Sequence, residues 1–217
     1  MGAWFDPASL GSAYCWIGSS YRNGWDPDGL KRKRQRDIDH EPQGDAALQA
    51  LRKVLQKAIA EVDAMEGVED PKDGAHRSEL SAGDVEWQAA QFRDNADDST
   101  RNKHEGNTYD KENGQYLAQI NLWKTAQRRK WVRTMLHEGK HVALFRKGVC
   151  SPHHETDEDK EKFEESVSEL VIWLENSETL ALFDEWMAYY SGESRPYGQL
   201  QKAAEGTLTG QKPPPRK

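Results

Sequence analysis

The clearest periodicity in the chain runs from Ala46 to Met65, where Leu48, Leu51, Val54, Leu55, Ile59 and Val62 recur at steps of three and four. That spacing gathers the apolar side chains into one stripe of an α-helix. Asp45 before the run is a good N-cap and Gly67 after it a stop, so an amphipathic helix is expected there. A longer helical pattern covers Thr125–Lys147 and ends at Gly148, and further helices are expected at about Asp157–Asn176, Glu178–Tyr190 and Gly198–Ala204. Strand signals are sparser. Tyr116, Ala118, Ile120 and Leu122 alternate within Gln115–Trp123, the period of two that marks a half-buried strand. Ala13–Ile17 is a second short strand, among the turn-forming pairs Asn23-Gly24 and Asp28-Gly29. Residues 68–113 are polar and broken by Gly and Asp, and read as a long irregular excursion with a short helix around Val85–Phe92.

Together these elements predict an α+β fold, mostly helical, with a small sheet beside the longest helix. A change of composition near residue 30 separates an aromatic, Gly-rich segment, 1–30, from a charged and aperiodic linker, 31–44. The main domain is expected over 45–204, and the Pro-rich end, 205–217, reads as a disordered tail.

Composition narrows the class. The 217 residues carry 37 acids against 30 bases, a net charge of −7, and the mean hydropathy is −0.98. No run approaches the roughly 18 apolar residues of a membrane segment, and a basic stretch followed by a long apolar run, the mark of a secretory signal, is lacking at the N-terminus. The acidic balance disfavours general nucleic-acid binding, although Lys31-Arg32-Lys33-Arg34 could contact phosphate. Two cysteines, Cys15 and Cys150, exclude a disulfide-dense scaffold, so stability must come from a core or a metal. Eight Trp spread along the length argue for a folded chain despite the low hydropathy. Much of the negative charge is local, with nine acids and two lysines between Glu155 and Glu175.

Within the long helical pattern stands His137-Glu138-Gly139-Lys140-His141, of the form H-E-x-x-H. Four-residue spacing puts the imidazoles one turn apart on one face, where both reach a single Zn2+, with Glu138 beside them as general base. With seven His in the chain, about 0.02 accidental matches are expected, so chance is a poor account. A catalytic zinc takes three protein ligands and keeps a fourth position for water. The ion brings the pKa of that water from 15.7 towards about 7, Glu138 takes its proton, and peptide hydrolysis is the natural reaction.

For the third ligand, a longer histidine motif would need Gly at 144 and His at 147, where the chain has Leu144 and Lys147. A glutamate on the next helix is a better fit. The run Glu164-Glu165-Ser166-Val167-Ser168-Glu169 resembles the N-E-x-x-S-D motif of the thermolysin-like zincins, the gluzincins. The resemblance implies a zincin-like metallopeptidase fold, with Glu165 as third zinc ligand and Glu169 as the acid that orients His137. His153 is the rival third ligand, and Cys150, His153 and His154 form a second possible metal set. Tyr189, Tyr190 and Tyr197 lie where such enzymes often place an oxyanion donor.

The first thirty residues carry a different resemblance. Asp26-Pro27-Asp28-Gly29-Leu30, with Asp6-Pro7 upstream, is similar to the end of an Rhs repeat-associated core, where a D-P-x-G-L motif closes a β-cage shell. In that family the segment after the motif is a variable toxin, released by self-cleavage. The resemblance implies an effector held in an Rhs core shell, cytoplasmic in its producer and then delivered into a target cell, by a type VI or contact-dependent route. It implies as partners a protein or peptide substrate and a cognate immunity protein. Two other readings stand beside this one: a regulatory zinc peptidase that is no toxin, and a nuclease or binding module using the basic stretch 124–133.

Overall fold

Pro42 opens the first described helix, α1 (Pro42–Asp63), where a residue without an N–H costs nothing. The computed structural model describes residues 37–71, 75–93, 105–111, 114–122, 128–148, 157–193 and 195–215. The expected strand at Ala13–Ile17 and the Asp-Pro motifs lie outside them, as do Cys150, His153 and His154. The apolar stripe of α1 is fully buried at Leu48, Leu51, Val54, Leu55 and Ala58. Asp45, expected as an N-cap, does other work: its carboxylate accepts from Ala89 N at 2.8 Å and meets His40 Nε2 at 2.7 Å, tying α1 to the sheet.

Four strands follow the order β1-β2-β4-β3, with β1 (Asp37–His40), β2 (Val85–Arg93), β3 (Gly106–Lys111) and β4 (Gln115–Ile120). β2 and β4 run parallel, while β1 and β3 pair antiparallel at the two edges. Three expectations are corrected here. The stretch around Val85–Phe92 is strand rather than helix, because Val85, Trp87 and Ala89 alternate inward and pair with Tyr116, Ala118 and Ile120. The excursion 68–113 therefore holds two of the four strands, with a 3-10 turn at Ala75–Leu80. The stretch read as a linker, 31–44, contains β1 and the start of α1.

Four more helices follow among the described residues: α2 (Arg128–Arg146), α3 (Asp157–Leu174), α4 (Glu178–Tyr189) and α5 (Pro196–Leu208). The fold is thus α+β and mostly helical, and no described helix is long and apolar enough to cross a membrane. The tail is less free than its composition predicts. α5 continues to Leu208, Trp186 Nε1 donates to the Gln211 carbonyl at 2.8 Å, and Lys212 pairs with Glu185 at 3.0 Å.

One face of the sheet carries both long helices. Register aligns Trp87 with Ala118 and Thr108, and Ala89 with Ile120 and Gly106, so these six share a face. Gly44 of α1 lies so close to it that a Cβ there would stand 2.6 Å from that of Ala89, and α2 packs on β3 and β4. The other face is polar, with Gln88, Gln119 and Asn107. α1 also packs on α4 and α5. There Glu61 caps α4, accepting from Ser177 Oγ at 2.7 Å, Glu178 N at 2.8 Å and Thr179 N at 3.0 Å.

Candidate metal centre

α2 is buried on most sides, through Trp131, Val132, Met135, Leu136 and Val142, and this fixes its rotation. His137 and His141 fall on a part-exposed strip, one turn apart, with their Nε2 atoms 3.2 Å from each other. Zn–N bonds of about 2.0–2.1 Å in tetrahedral geometry set two nitrogens about 3.3 Å apart, so the pair has the spacing of two vertices of a zinc site. The donor chemistry fits zinc as well.

α3 supplies the floor of this pair. The Phe163 ring centroid lies 4.8 Å from that of His137 and 4.9 Å from that of His141. Lys140, from the middle of the motif, is buried with its ammonium 4.8 Å from the same ring centroid and hydrogen-bonded to Ser166 Oγ, which joins the two helices. Glu164 places Oε1 3.4 Å from His137 Nδ1 and Oε2 2.8 Å from Arg133. The hydrogen bond from His137, helped by Arg133, pulls its carboxyl down to about 2.

The acid that faces His137 is therefore Glu164, not Glu169. The apolar stripe of α3, Phe163, Ser166, Val167, Leu170, Trp173 and Leu174, sets the rotation of the helix. Glu164 then borders α2, while Glu165 is exposed and Glu169 half-buried. Among the described residues no three of His, Cys, Asp and Glu converge on one point, so Glu165 is not brought to the imidazole pair. The motif resemblance followed letters along one helix; the register between two helices decides which acid arrives.

Glu138 lies between α2 and β3, next in sequence to His137, and is 3% exposed. Its Oε2 accepts from Thr108 Oγ1 at 2.6 Å. Burial raises its carboxyl to about 7, against the lowering pull of His137 and Thr108, a value suited to proton exchange near neutrality. Gly106 lies against it: a Cβ there would come within 2.4 Å of Oε1.

The three tyrosines sit elsewhere. Tyr189 and Tyr190 surround Trp186, the latter stacked at 5.6 Å, and Tyr197 OH accepts from Arg195 at 2.9 Å. In the basic stretch, Arg133 meets Glu164 and Lys130 is 3.9 Å from Glu105, so these two cations face carboxylates. Sequence reasoning missed Glu164 as the partner of His137, and also Phe163, Thr108 and Gly106. The alternation of Gly106, Thr108 and Asp110 through a polar stretch was the one available signal for the last two.

Comparison with protein-family models, with curated proteins and with solved structures finds no match. The two resemblances rest on the residues that carry them.

Proposed function

We propose that this chain is a zinc-dependent endopeptidase, in which His137 and His141 hold the ion and Glu138 is the general base. The observation that carries the reading is the 3.2 Å approach of the two Nε2 atoms, with the buried Glu138 between them in sequence. Bound zinc would supply a Lewis acid for the scissile carbonyl and a water acidic enough to attack it. Glu138 receives the water's proton and passes it to the leaving amine, a shuttle for which its raised carboxyl is well matched. Glu164 accepts from His137 Nδ1 and so keeps Nε2 free to bind. The third protein ligand is to be sought by substitution, His153 being the rival named from the sequence.

The Asp26-Pro27-Asp28-Gly29-Leu30 motif supports the further reading that the segment after residue 30 is the toxin of an Rhs-type effector, with a protein substrate in the target cell and an immunity protein in the producer. The test is zinc analysis combined with a proteome-wide search for new N-termini, wild type against Glu138→Gln. Zinc in both proteins and new termini only with the wild type support the peptidase. Toxicity of the expressed chain that survives Glu138→Gln rules out the toxin mechanism.

A further inference from the structure

We propose that Thr108 is a positioning residue for Glu138, and that β3 gives the general base a fixed seat, with a hydroxyl on one carboxylate oxygen and a glycine under the other. The inference rests on the reading of Glu138 as general base. Gly106 and Thr108 are two residues apart on one strand, so both face α2; their register partners Ile120 and Ala118 point the same way. Thr108 Oγ1 donates to Oε2 at 2.6 Å. On the other side, a Cβ at residue 106 would stand 2.4 Å from Oε1 and 2.8 Å from both Cδ and Cγ.

A glutamate has three side-chain torsions, and an exposed one samples many rotamers. Here the carboxylate fills the space that any side chain at 106 would take, and the hydroxyl fixes its rotation about the last bond. Threonine suits the task because it donates one hydrogen bond and leaves the carboxylate's other acceptor positions open to a proton. The isosteric valine would fill the same volume and donate nothing.

Two measurements on the full chain test this. In the first, new N-termini in a bacterial lysate are followed over time, with kcat and KM then taken on a peptide spanning a site so identified. Thr108→Val is expected to lower kcat by about 10- to 100-fold, with KM within about twofold and zinc content unchanged, as for a misplaced catalytic group. Thr108→Ser is expected to restore most of the rate. Wild-type kcat in Thr108→Val, beside an inactive Glu138→Gln, overturns the positioning role alone. An active Glu138→Gln, or a wild type that makes no new termini, overturns the function reading and the role of Thr108 with it.

The second measurement needs no activity. In the metal-free protein, Gly106→Ala is expected to lower Tm by about 4 °C or more, and by much less in a Glu138→Ala background, where the seat is vacant. An equal loss in both backgrounds overturns the seat.

Discussion

The carboxylate of Glu164 stands 3.4 Å from Nδ1 of His137, while Nε2 of the same ring faces His141 at 3.2 Å. One ring thus links a cation-held acid on α3 to the second imidazole on α2. A proton on Nδ1, directed at Glu164, leaves the Nε2 lone pair free for a metal. Glu164→Gln is expected to weaken zinc binding by about 10- to 100-fold in competition with a chelator, the usual cost of losing such a partner. Glu169→Gln is expected to bind zinc as the wild type does. The reverse order would return the orienting role to Glu169.

Glu138 is both the proposed general base and a buried carboxyl of the fold. Glu138→Gln keeps the imidazole pair and is expected to retain zinc while losing turnover by at least about 100-fold. In the metal-free protein its raised carboxyl works against folding once ionised. The stabilising contribution of the protonated form is complete below the unfolded value of 4.5 and is lost as pH rises through about 7. Over that window the wild type should lose on the order of 3 kcal/mol relative to Glu138→Gln, to be read from urea midpoints at successive pH values.

Glu165 is exposed on α3 and does not converge with the two imidazoles. Glu165→Ala is therefore expected to leave zinc stoichiometry and affinity at the wild-type level. His141→Ala, by contrast, should cost both metal and turnover. A tenfold or greater loss of zinc affinity in Glu165→Ala would show that α3 turns on metal binding.

What the chain reveals by itself follows the range of the interaction. The rotation of α1 is written in its own three- and four-residue spacing, and the two imidazoles share a face because four residues make about one turn. The identity of β2 is not local. Its Ala89-Ala90 pair blurs the alternation, and the strand is fixed by pairing with Tyr116–Ile120, distant in sequence. The choice between Glu164 and Glu165 depends on how two helices meet, which Phe163 and Leu170 decide through core packing. Thr108 reaches Glu138 across 30 residues, and the weak alternation of Gly106, Thr108 and Asp110 marks at most a strand there, not the contact with a distant helix.

Gly44 tests the closeness of α1 to the sheet. A methyl group there would lie 2.6 Å from Ala89 Cβ and 3.3 Å from Leu122 Cδ1, and the first of these atoms is fixed to the backbone of β2. The usual gain of Gly→Ala in a helix, about 1 kcal/mol, is then outweighed by the overlap. Gly44→Ala should destabilise by about 1–3 kcal/mol, as overpacking does, measured by urea unfolding.

Glu61 makes a cap that α4 does not fully possess. Ser177 accepts from Leu180 N at 3.2 Å, but Glu178 N and Thr179 N are met by the carboxylate of Glu61, from the far end of α1. Ser177 Oγ donates to that carboxylate as well, so one side chain accepts three hydrogen bonds at a helix N-terminus, where negative charge is favoured. Removing it leaves two backbone donors to water. Glu61→Ala should cost about 1–2 kcal/mol, as lost caps do, whereas Glu61→Gln keeps an acceptor and should cost less. Because α4 packs on α1 and α5, away from the imidazole pair, both variants should bind zinc as tightly as the wild type. A loss of metal affinity in Glu61→Ala would mean that this end of the fold is coupled to the site.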